Sequence, residues 1–344
     1  MSTGAVAAGA PSGARSWVPG YLAAAVIWGC SFAFIAVGLR ALTPVQVATA
    51  RQVLGALTLL ALCLVLRVPL PRGRRTWGHL VVVGLLLNAA PGLLFAVGQQ
   101  TVSSVIAGII NAMTPLATLA VILAAYPEER PTRRRVLGLL LGFAGVAVVI
   151  GVWRGLGEGR WLGVLACLAA ITCYGLALPY SRRYLTSSGQ RPLSLVTGQV
   201  VVAGTLMLPV LALTGVTPRG PVTVDVVLAV VALGSLGTGV AYALNYRVIA
   251  IAGPGTAATV TYITPVVATV VGVAFLGERL HWNEPVGALV ILLGVALGQG
   301  VRGLRLRRPV PLGTVPGIPV GTSASTPGTV VASPPGPGDR APSR

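Results

Sequence analysis

The chain has 344 residues, of which 54% are hydrophobic and 9% charged, and its mean hydropathy is +0.84, a composition that excludes an ordinary water-soluble domain. Its net charge of +18 comes from 25 basic residues, every one an arginine, against 7 acidic ones. The arginines are spread over the ends of apolar stretches, not gathered into one domain with interleaved aromatics, so a nucleic-acid partner is not expected.

A helical span needs about 20 mostly apolar residues, and taking the chain in order for such windows gives an expectation of ten. Residues 1–17 are read as a cytoplasmic N-terminal tail; Arg15 followed by an apolar run looks like a secretory signal, but the run is too long for a signal core and is read as an uncleaved first span. Ser16 to Leu39 is that span, and Ala41 to Leu66 is the second, interrupted only by Arg51. Leu80 to Pro127 carries no charge and holds two spans with a turn near Gln99 to Ser104. Then come Val136 to Trp153, Trp161 to Ser181, Pro192 to Pro218, Val226 to Tyr246, Val248 to Gly277 and Pro285 to Val301. Glycine and proline inside these windows are tolerated in membrane helices, where small-residue pairs such as Gly138 with Gly142 and Gly234 with Thr238 suit close packing. Residues 309–344 turn to Pro, Gly, Ser, Thr and Val, a composition expected to stay disordered as a cytoplasmic tail.

With the N-terminus inside, 17 arginines fall at cytoplasmic span ends and 5, at Arg40, Arg154, Arg160, Arg219 and Arg279, fall outside. That bias puts both termini in the cytoplasm of a multi-pass cell-membrane protein. Cys30, Cys63, Cys167 and Cys173 lie inside spans without a CxxC partner and read as small buried apolar side chains. The sequence offers neither a metal nor a cofactor pattern.

The chain also repeats itself. Ala107 to Glu128 aligns without gaps to Ala257 to Glu278, with Pro115 and Pro265, and Glu128 and Glu278, each 150 residues apart. Trp28-Gly29 lines up with Tyr174-Gly175, the run around Gly145 with that around Gly294, and Arg51 falls opposite Gln199. The expected fold is therefore an all-α membrane protein of ten helices in two five-helix repeats, residues 18–153 and 161–303. Five spans per copy send the second copy into the membrane from the other side, and inverted repeats are characteristic of secondary carriers. Pro115 and Pro265, at matching interior positions, are hinge candidates, with a static packing kink as the alternative.

These features resemble the EamA-type members of the drug/metabolite transporter superfamily over about residues 18 to 303. The likeness rests on Trp28-Gly29, Arg51 in span two, the Thr-Pro pairs at 114–115 and 264–265, and the Gly277-Glu278-Arg279 turn. The first copy departs from it with Pro127-Glu128-Glu129-Arg130 at the corresponding corner. The resemblance implies export or uptake of a small metabolite, amino acid or drug-like molecule by alternating access, without ATP hydrolysis and without catalysis; export is the expected direction. A lipid-headgroup flippase of the same fold is the alternative. An intramembrane enzyme is a weaker one, because its chemistry needs clustered acids, bases or metal ligands at membrane depth, and His79 and His281 sit at span ends.

Polar side chains inside spans cost free energy unless they meet each other, water or ligand. The candidates for a substrate cavity are Trp28, Arg51, Asn88, Asn111, Thr114, Tyr174, Gln199, Asn245, Tyr262 and Thr264, with Gln99, Tyr242 and Tyr246 as neighbours. Arg51 either pairs with a substrate carboxylate or anchors structure by snorkelling or binding carbonyls. The asparagines are equally readable as interhelical hydrogen-bonding groups. Glu128 and Glu278, at membrane ends beside arginines, read as loop ion-pair or helix-end groups, ahead of a part in transport chemistry. All seven acids lie at loops, span ends or the tail, so no midmembrane proton relay is expected. The expected partners are a small-molecule substrate and the lipid bilayer, with a homodimer also admitted.

Overall fold

The computed structural model describes residues 16–125, 132–154, 160–185 and 188–299. Among these residues the regular structure is helical throughout. The principal helices are α1 (Val18–Gly38), α2 (Pro44–Val65), α3 (Arg74–Gly98), α4 (Ser104–Asn111), α5 (Thr114–Ala125), α6 (Arg133–Ile150), α7 (Arg160–Tyr184), α8 (Pro192–Thr214), α9 (Val224–Gly253), α10 (Thr256–Leu276) and α11 (Asn283–Gln299). Seven are long and apolar enough to cross a membrane, or eight if the α4–α5 pair, bent by 43°, is one span. Of the other two, α6 opens with three arginines and α11 is 17 residues long. Glu128 and its neighbours, the N-terminal tail to residue 15 and the expected C-terminal tail lie outside the described residues.

Local chemistry explains several boundaries. Thr43 and Gln46 form a reciprocal capping box at the start of α2, with Pro44 at the position where a missing N–H matters least. The matching helix α8 also starts on a proline, Pro192. The turn between the eighth and ninth expected spans is not at Arg247, where the charge pattern broke the apolar run, but at Gly253 (φ 84°). One arginine near a helix end reaches the interface without ending the helix, whereas a left-handed φ suits glycine. Gly253 is 150 residues after Ser103, which caps α4 through its Oγ to the Ile106 amide, so the two halves turn at the same place by different means.

The outer surface is apolar: Leu64, Leu213 and Phe275 are 80%, 88% and 79% exposed, a surface fit for lipid and not for water. Inside, Phe32, Ile109, Ile110, Met113, Ile171 and Ile291 belong to one core shared by residues from both halves. The loops gather at two ends. At one, Arg40 pairs with Asp225 at 3.6 Å, Arg219 donates to Gln100 Oε1 and Gln46 Nε2 to the Thr217 carbonyl. At the other, Gln190 Nε2 donates to the Arg72 carbonyl and to Thr76 Oγ1.

Corresponding residues make corresponding contacts. A Cβ on Gly84 would meet the Gln199 carbonyl and Val202, and one on Gly234, 150 residues later, would meet the Arg51 carbonyl and Leu54. Gly29 presses on Val267 and the Thr264 carbonyl, as Gly175 presses on Ala117. Helices α6 and α11 lie against each other with Gly138 at Gly294 and Gly298, and Gly145 at Gly287 and Ile291, so the two run antiparallel.

Candidate functional site

Two helices contain a wide π turn, Leu85–Ala89 in α3 and Ala232–Val240 in α9. Residues 85–89 map onto 235–239 at the repeat offset. A π turn shifts the i→i−4 ladder and leaves backbone carbonyls available, which is why such turns recur at functional sites. Here the carbonyls are used: Trp28 Nε1 on α1 donates to the Gly237 carbonyl (3.0 Å), and Gln52 Nε2 on α2 donates to the Asn88 carbonyl (3.0 Å).

Around these turns the structure gathers side chains from five helices. Arg51 Nε donates to Thr238 Oγ1 at 3.1 Å, and the Tyr242 hydroxyl donates to Asn88 Oδ1 at 3.0 Å. Thr238 and Tyr242 are one turn apart on α9, about 6 Å by helix geometry, so Arg51 and Asn88 meet adjacent points on one face. Trp28 packs edge-on to Tyr242 with ring centroids 5.9 Å apart, and Tyr174 on α7 lies beside Phe95 at 6.3 Å. The Arg51 guanidinium acts electrostatically on the phenols of both Tyr174 and Tyr242. Trp28, Arg51, Tyr174 and Tyr242 are each half-buried, so the cluster is not sealed within the core.

Trp28, Arg51, Asn88 and Tyr174 thus come together. The other sequence candidates are placed differently. Thr114 Oγ1 donates to the Asn111 carbonyl at 2.7 Å, the carbonyl that Pro115 lacks an N–H to serve. Thr264 is buried and donates to the Val260 carbonyl of its own helix. Gln199 is 2% exposed and its Nε2 has no partner. Tyr262 packs on the large core and Asn245 is half-buried. Of the hinge candidates, Pro115 lies just past the 43° break, while Pro265 sits inside the continuous stretch of α10. Two members of the cluster escaped the sequence reading. Gln52 stands next to Arg51 in an apolar run, a signal that was there to read; Thr238 stands 150 residues after Asn88, visible only once the offset is carried upstream of the Thr-Pro motif.

Two surface clefts lie away from the cluster. One of about 340 Å³ is lined by Trp17, Gly20, Leu244 and Arg247, another of about 260 Å³ by Leu70, Arg72, Gln190 and Arg191.

Comparison with known proteins gives a consistent result. The EamA-like transporter family model matches twice, over residues 15–151 and 161–298. The chain is 25% identical over 274 residues to the uncharacterized inner membrane transporter YedA of Escherichia coli (strain K12), covering 79% of this chain and 87% of that one. It is also 25% identical over 272 residues to the uncharacterized transporter YdfC of Bacillus subtilis (strain 168), covering 78% and 86%. A solved crystal structure, 22% identical, is covered in full by 84% of this chain at a TM-score of 0.59, a likeness of fold.

Proposed function

Because this chain belongs to the EamA-like transporter family, and is by its apolar helices and its relatives a multi-pass membrane transporter, we propose that it is a secondary carrier that exports a small organic molecule by alternating access around the Trp28–Arg51–Asn88–Tyr242 cluster. The observation that carries this reading is the cluster itself. Its polar groups come from α1, α2 and α3 of the first half and α7 and α9 of the second, some buried and some half-buried, at the junction where relative motion of the halves would change access. The two repeats are residues 18–153 and 161–303, ten spans in all with both termini cytoplasmic, and they are inverted. The antiparallel α6–α11 pair, made of equivalent glycines, supports the inversion, since two equivalent helices that run antiparallel are related by an axis across their length.

Solute counterflow in proteoliposomes tests the carrier reading. A carrier accelerates entry of labelled solute when the lumen is preloaded with unlabelled solute, because the loaded site returns faster than the empty one; a pore or a non-transporting protein shows no such acceleration. Across a panel of organic anions, zwitterions, neutral solutes and cations, at least one should show counterflow that Asn88→Leu abolishes. Absence of counterflow throughout, from protein that remains folded, would sink the reading.

A further inference from the structure

Arg51 lies within the apolar run of α2, and among the described residues no carboxylate balances the charge of its guanidinium. Its hydrogen bond goes from Nε to Thr238; its η nitrogens have no hydrogen-bond partner among the described residues and are not sealed off. No carboxylate pairs with it there: Asp225 pairs with Arg40, Glu278 binds the amides of Ser104 and Val105, and Glu284 faces His281 at 3.6 Å, all at helix ends. A permanent cation inside a membrane protein is costly without a counter-charge, and it is retained where function uses it.

Two independent features surround that charge. Asn88, 4% exposed, spends its Oδ1 on Tyr242 while its Nδ2 has no partner, and Gln52, 1% exposed, leaves Oε1 unpartnered. Buried polar atoms without partners are uncommon, and the Asn88 amide is held beside Tyr242, one turn along α9 from the residue that grips Arg51. The remaining wall is aromatic: Trp28, Tyr174 and Tyr242 offer flat apolar area. A guanidinium with free N–H groups, a buried amide donor without a partner and three aromatic rings thus lie in one neighbourhood.

Resting on the carrier reading above, we propose that the substrate is a singly charged organic carboxylate with a planar or aromatic body. The carboxylate takes the free edge of the Arg51 guanidinium and the Asn88 Nδ2 hydrogen, and the body lies against Trp28, Tyr174 and Tyr242. A guanidinium is suited to this because its planar N–H pair matches the two carboxylate oxygens. The same charge repels organic cations, and no interior acid among the described residues offsets it. A bound monoanion moves one negative charge across the membrane per transport event, so an inside-negative potential drives it outward with no coupling ion.

The test uses purified full-length protein and three probes of similar shape: phenylpyruvate as the anion, phenylacetamide as the neutral solute and phenethylammonium as the cation. Thermal stabilisation is read first, then counterflow and efflux under an imposed potassium diffusion potential. Phenylpyruvate should stabilise the protein and show counterflow, with efflux faster when the lumen is negative. Arg51→Gln should weaken its binding by about 10- to 100-fold, the range for hydrogen bonds to a charged group, and Arg51→Lys should retain part of it. Thr238→Val, which keeps the charge but frees Nε, serves if Arg51→Gln does not fold; it should weaken phenylpyruvate several-fold and leave phenylacetamide unaffected. Preference for phenethylammonium or phenylacetamide, with counterflow intact in Arg51→Gln, overturns the anion assignment while the carrier reading stands. Counterflow of phenylpyruvate that ignores the potential overturns the electrogenic part. Failure of a wider set of aryl and alkyl monocarboxylates to shift or exchange, while other solutes do, also overturns the assignment; failure of every solute class overturns the carrier reading with it.

Discussion

Glu278 shows how far a single residue can be read from its neighbours in sequence. Beside Arg279 at a span end, it has the look of a helix-end or loop ion-pair residue, and the first of these is its place: its two carboxylate oxygens accept from the backbone N–H groups of Ser104 (2.9 Å) and Val105 (3.1 Å) at the start of α4. The first amides of a helix have no intrahelical partners and carry the positive end of the helix dipole, so an anion there is favourable. What the sequence withheld is that the capped helix belongs to the other half of the chain, 174 residues away. We predict that Glu278→Ala lowers stability by about 1 kcal/mol, seen as a lower midpoint in thermal unfolding of the detergent-solubilised protein, with Glu278→Gln losing less because its amide oxygen still accepts. No change in midpoint would mean that water replaces the cap at no cost. Arg51 was half legible in the same way. Its oddity inside an apolar run is visible in the sequence, but its grip on Thr238, from a residue 187 positions away, is not.

Helix α6 and its partner α11 rest on glycine. Gly138, Gly145, Gly287 and Gly294 let the two backbones approach until a Cβ would overlap; at Gly145 it would lie 2.7 Å from Ile291 Cγ1, 2.9 Å from the Ile291 nitrogen and 3.0 Å from the Gly287 carbonyl oxygen. In lipid there is little hydrophobic drive to join helices, so close packing carries the association. Gly145→Val should therefore separate the pair and cost about 1–3 kcal/mol by overpacking, measurable as a fall in unfolding midpoint and in yield of monodisperse protein. Gly78, whose Cβ would meet nothing within 4 Å, is the control, and Gly78→Val should not destabilise, glycine being the poorer helix former; an equal loss at both sites would refute the packing argument. The two Thr-Pro elements teach the opposite lesson about repeats. The first Thr-Pro pair follows directly on a 43° break, whereas the second lies inside the helical stretch Val260–Leu276. At the first, Thr114 donates three residues back to Asn111, while at the second Thr264 donates four residues back to Val260. A local motif permits a kink, and packing against the rest of the bundle decides whether one forms.

At the scale of the whole molecule, the loops at the two ends should open and close in alternation if the halves rock about the central cluster. The Arg40–Asp225 pair marks one end and the Thr76–Gln190 contact the other, each joining the first half to the second. Bridging Arg40→Cys with Asp225→Cys, or Thr76→Cys with Gln190→Cys, by a bifunctional thiol reagent should each stop counterflow, and cleaving the bridge should restore it; transport that continues through either bridged form would rule out rocking at that end. The sequence by itself determined the solvent, the helical class, most helix limits among the described residues and the duplication, because apolar length and a constant offset are properties written along one dimension. The tertiary structure alone decided which polar residues form the site. Whether Arg51 meets Thr238, or Tyr242 meets Asn88, depends on the rotation that two π turns impose on their helices and on how helices far apart in the chain cross. Spacing along the chain does not carry that phase; only the packed bundle does.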